Sequence, residues 1–95
     1  MLLLTELEGY VSQLGEYLTK IETTMDRSEQ GGLYVTKTKE VFTYDDEQDA
    51  DDKINEARQN LGFAGVDKKY KAGKMNKAGE VVKPECWVVT IKLNH

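Results

Sequence analysis

A chain of 95 residues with net charge −4, 39% hydrophobic and 32% charged residues and one proline has the make-up of a single soluble globular domain. Those values exclude a fibrous or disordered chain, and no apolar run approaches the roughly 20 residues that span a bilayer. Glu6 and Glu8 interrupt the opening Met-Leu-Leu-Leu, no cationic segment precedes it, and the lone Cys86 allows no intrachain disulfide; together these features point to a cytoplasmic protein.

The first element is predicted as a long amphipathic helix over 3–26. Leu4, Leu7, Val11, Leu14, Leu18, Ile21 and Met25 recur at alternating spacings of three and four, the a/d pattern of a helix with an apolar partner. Leu3, Tyr10 and Tyr17 widen that stripe along one edge. Gly9 and Gly15 weaken the helix, each by about 1 kcal/mol if interior. Asp26–Gly32 then reads as a mobile loop.

Leu33–Tyr44, rich in Val, Thr, Tyr and Phe, reads as a strand. Leu33 and Val35 share one parity and Phe42 and Tyr44 the other, which a bulge near Thr38–Glu40 reconciles. The acidic run Asp45–Asp52 opens a second helix reaching about Leu61, with Ala50, Ile54, Ala57 and Leu61 on one face and Gly62 as its cap. Phe63–Lys71 and Val81–Leu93 read as two further strands around a Lys- and Gly-containing tip. Pro84 should mark the entry of the last strand or a bulge.

The expected fold is thus an α+β two-layer sandwich in one domain over 1–95, with the core in 33–95. Its order is α-β-α-β-β, and a three-stranded antiparallel/mixed sheet of spatial order 1-3-2 carries both helices on one face. Trp87, Val89, Ile91 and Leu93 should face Leu7, Leu14, Leu18 and Ile54 across the layers.

The chemistry-bearing residues are sparse. Asp45, Glu47, Asp49 and Glu56 fall at calcium-loop spacings, but Ala50 stands where that loop requires glycine, so no metal and no cofactor are expected. The only histidine is His95, no nucleophile or phosphate-loop motif occurs, and no carboxylate stands out in an apolar stretch, so an enzyme is not expected. Charge is divided unevenly along the chain: residues 1–57 hold 14 acids and 5 bases, and residues 58–95 hold 3 acids and 8 bases.

Excess apolar helix surface and divided charge suggest a small interaction protein that binds and modulates a protein partner. Accessory proteins of mobile genetic elements share this general character, by analogy alone. Tyr10, Leu14 and Tyr17 are the candidate interface, with a homodimer as the expected assembly. The alternative is a nucleic-acid contact through the Lys-rich hairpin 68–83, using Lys68, Lys69, Tyr70, Lys71, Lys74 and Lys77.

Overall fold

The structure, a computed structural model, describes residues 2–95. Its elements in chain order are β1 (Leu2–Leu3), a 3-10 turn (Leu4–Glu6), α1 (Leu7–Gln13), β2 (Leu18–Arg27), β3 (Leu33–Tyr44), α2 (Glu47–Arg58), β4 (Phe63–Lys71), β5 (Lys74–Met75), β6 (Val81–Lys83) and β7 (Cys86–Asn94). Half of the chain is strand, in a five-stranded sheet and a separate two-stranded one, so the expected three-stranded α-β-α-β-β fold is incorrect.

The correction begins at the helix expected over 3–26, which survives only as α1. Leu14 closes α1, its N–H donating to the Val11 carbonyl at 3.1 Å, and Gly15 follows at φ +87°. That left-handed conformation is the usual exit from a helix and strains any residue with a β-carbon. Beyond it, Thr19, Ile21, Thr23 and Thr24 supply the β-branched side chains that favour extended backbone. The segment pairs antiparallel with β3 from Leu18↔Phe42 to Arg27↔Leu33. In place of the expected mobile loop, Ser28–Gly32 is a tight hairpin turn, closed by Ser28 N–H to Gly32 carbonyl at 2.8 Å.

β2 covers one edge of β3, while β7 and the short β1 share the other. β7 runs antiparallel to both β3 and β4, which makes those two parallel to each other, with α2 as the crossover between them. Three register shifts interrupt the ladders of the main sheet, leaving Thr19, Thr36 and Ala64 unpaired. The β3 bulge thus lies at Thr36, just before the expected Thr38–Glu40, and it brings Val35 to the buried parity of Phe42 and Tyr44.

α2 ends at Arg58, short of Leu61. Asp46 caps its start, accepting the Gln48 N–H at 3.0 Å. Its Ala50, Ile54 and Ala57 pack on Phe42, Tyr44, Val89, Ile91 and Leu93, with Leu14, Leu18 and Trp87 against the same cluster. Both helices therefore cover one sheet face and leave the other without a helix. The expected last strand is split at Pro84–Glu85, and β5 and β6 form an arm projecting beyond the Tyr44/Cys86/Lys71 end of the sheet. The hairpin turn of β2 and β3 lies at the opposite end, and the molecule measures 60 × 25 × 18 Å. No helix among the described residues is long and apolar enough to cross a membrane.

Candidate functional site

The residues singled out from the sequence are dispersed by this fold. Tyr10 and Leu14 pack on the domain's own sheet, Tyr10 bonding to Glu40 and Leu14 lying against the core. Tyr17 is 48% exposed but stacks on Tyr44 at a ring-centroid distance of 5.0 Å. The helix seam on which a homodimer was expected does not exist, because 18–27 is strand.

The lysine hairpin divides in the same way. Alternation along β4 sends Lys68 and Tyr70 to the helix-covered face and Lys69 and Lys71 to the opposite one. Lys68 is bound to α2, with its Nζ 2.7 Å from Asp51 and 3.3 Å from Glu47; the Asp51 hydrogen bond leads in raising its pKa. Tyr70 donates its hydroxyl to Glu85 at 2.6 Å and tilts against Trp87. Lys74 and Lys77 lie on the arm and its turn. The residues therefore do not form one surface.

A buried polar cluster lies under α1. The Glu40 carboxylate, 1% exposed, accepts the Tyr10 hydroxyl and the Thr38 hydroxyl, the latter at 2.9 Å. His95 Nε2 stands 2.8 Å from the Thr38 hydroxyl, and its ring meets Tyr10 edge-on at 5.2 Å. Burial leads in raising the Tyr10 phenol, reinforced by its bond to Glu40. Burial also leads in lowering the His95 imidazole, against the opposing pull of the Glu40 charge. Within the cluster, the carboxylate and the hydroxyls are satisfied by one another, which holds α1 to the centre of β3. Sequence reasoning passed over Glu40, although its parity with Phe42 and Tyr44 already pointed it inward.

The helix-free face is the site that only the tertiary structure assembles. Pairing registers bring Lys20 from β2, Lys37 and Lys39 from β3, Lys92 from β7, and Lys69 and Lys71 from β4 to one surface. Glu22, Asp26 and Asp67 are the acids on the same four strands that share it. Lys39 and Lys92 are direct cross-strand partners, and Lys37 is paired with Asn94 one step along that side. These side chains line a shallow hollow of about 290 Å³ together with Glu22 and Thr24. Lys20 holds Glu22 at 3.0 Å and lowers its pKa, whereas Lys39 reaches it only at 4.0 Å.

No group of three or more metal-ligating side chains is gathered among the described residues. The candidate calcium loop is taken up by the cap and first turns of α2. No family model, curated protein or solved structure matches this chain. Fold and surface thus define it as an antiparallel-sheet α+β protein with an open lysine-bearing face and a projecting β-arm.

Proposed function

We propose that this is a non-enzymatic binding protein that holds a macromolecular partner, a protein, through its β5–β6 arm. The observation that carries the reading is the exposure of Met75 (70%), Val81 (62%) and Val82 (66%) on a hairpin projecting from one end of the molecule. A lone two-stranded hairpin is marginal in water, and its apolar side chains gain nothing until a second surface covers them. The backbone edges of the arm also suit addition of a strand from a partner.

A photo-crosslinker placed at Val82 should capture a discrete protein from native lysate. Val81→Lys combined with Met75→Lys should abolish capture without changing the melting temperature. Equal capture by the two chains, or capture from sites all over the surface, would remove the arm from the reading.

The competing reading, nucleic-acid contact through residues 68–83, loses Lys68 and Tyr70 to internal partners. The lysines of the helix-free face support a different placement.

A further inference from the structure

We propose that the helix-free face of the main sheet binds the backbone of double-stranded nucleic acid. Lys37, Lys39 and Lys92 form its principal phosphate seat, and Lys69 and Lys71 a second one. This site is separate from the arm and stands whether or not the arm holds a protein.

The charges are segregated by layer. The helix layer carries Glu47, Asp49, Asp51, Asp52 and Glu56 on α2 alone, while the open face carries six lysines and three acids. A protein of net charge −4 thus presents an excess of lysine on this face, which orients a polyanion on approach.

The arrangement inside that face is costly without an anion. Like charges directly opposite on neighbouring strands repel, and Lys39 and Lys92 are such a pair, with Lys37 diagonal to Lys92. Among the described residues Lys37, Lys69, Lys71 and Lys92 make no ion pair with a carboxylate. A phosphate in the hollow between Lys37, Lys39 and Lys92 would convert that repulsion into shared attraction, with the Thr24 hydroxyl and Asn94 amide at its rim and the Glu22 carboxylate, which also lines the hollow, offset by its ion pair with Lys20.

The chemistry also selects the form of nucleic acid. The centre of the face consists of Val41, Thr43, Val88 and Thr90, and the one aromatic ring these four strands place on it, Tyr34, stands apart beside the β2–β3 turn, so the face offers no platform for a run of unstacked bases. Binding through lysines alone reads phosphates and not sequence. From Lys92 to Cys86, the partner of Lys71, is six residues, or about 20 Å of strand. That separation exceeds the roughly 12 Å width of a major groove, so the two seats can meet phosphates on either side of it.

Binding of the full chain to a fluorescent 20-base-pair duplex, followed by anisotropy across a salt series, tests the proposal. The affinity should fall linearly with salt on logarithmic axes, with a slope of about −3.5 to −5.5 for four to six neutralised phosphates. Replacing Lys37, Lys39 and Lys92 together by glutamine should reduce the slope by about 2 to 3, whereas Lys74→Gln with Lys77→Gln and Lys83→Gln should leave it unchanged. A single strand of equal length should bind more weakly than the duplex. The triple variant should melt no lower than the wild type, because it relieves the Lys39–Lys92 repulsion. If it does not fold, Lys92→Gln alone should still reduce the slope by about 0.9. No duplex binding at the lowest salt, a slope indifferent to the face lysines, a slope set by the arm lysines, or preference for the single strand would each overturn it. Loss of protein capture at the arm would leave this result untouched.

Discussion

Glu40 is buried to 1% exposure in the middle of β3, and two hydroxyls keep its carboxylate hydrogen-bonded there. Removing one donor leaves a buried acceptor short of a partner, which costs more than the bond itself is worth. Tyr10→Phe should therefore destabilise the fold by about 1.5–3 kcal/mol in urea denaturation, the range for hydrogen bonds to charged groups. Tyr17→Phe, at an exposed ring, should change stability by less than about 0.5 kcal/mol. His95 touches the same cluster and adds a pH dependence. Burial holds its imidazole below the ordinary 6.5, so as the pH falls past that value the unfolded chain takes up a proton before the folded one does. Folding stability should be indifferent to His95 well above pH 6.5 and decline as the pH drops from there toward the folded value. His95→Gln should flatten the part of the urea-midpoint change between about pH 7.5 and about pH 5.5 that the wild type shows beyond its carboxylates. An identical pH profile for the two chains would contradict the burial of this ring.

At the scale of elements, the junction of α1 and β2 decides the fold, and its two neighbouring glycines should respond with opposite signs. Gly15 sits at φ +87°, where an added β-carbon strains the backbone, so Gly15→Ala should cost about 1–2 kcal/mol. Gly9 lies within α1 with open space around it, so Gly9→Ala should gain about 0.5–1 kcal/mol through helix propensity. Thermal melts of the two variants, shifted in opposite directions, check the helix end. Had 3–26 been one helix, both alanines would stabilise it. The sheet has its own centre at Phe42, which is fully buried and has the Lys53 ammonium 4.6 Å above its ring. Phe42→Ala should cost about 3–5 kcal/mol. Trp87, on the expected parity but only half-buried beside Tyr70, should lose less when truncated.

The whole molecule is an elongated body with distinct ends and faces. The arm is tied to the sheet by little more than the two chains that lead into it, since β5 and β6 pair only with each other. Its amides should exchange with solvent by local opening, faster than those of β3 and β7, which require global unfolding. Protection in residues 74–83 equal to that of β7 would show that the arm has found a second surface. The helix layer, acidic along α2, and the open face, to which all four strands contribute lysine, oppose each other through the thickness of the sheet. This polarity differs from the one along the chain. Lys20, Lys37 and Lys39 come from the acidic first part of the sequence, yet they join Lys69, Lys71 and Lys92 from the basic second part.

What the sequence determined by itself was local and periodic. The strand spans Leu33–Tyr44 and Phe63–Lys71, the acidic start of α2, the shared parity of Trp87, Val89, Ile91 and Leu93, and the break at Pro84 all follow from patterns within a few residues. The apparent heptad shows where such patterns become ambiguous. Leu18 and Ile21 are three apart yet face the same side, because the bulge at Thr19 adds one residue to the strand's period of two. From Ile21 to Met25 are two such periods, so a strand with one bulge imitates the three-four spacing of a helix. Only pairing with β3 resolves that ambiguity, since an extended segment is stabilised by a neighbour that the local sequence does not contain. The same holds for the candidate binding face: its lysines are scattered from position 20 to position 92, and cross-strand register alone makes them neighbours.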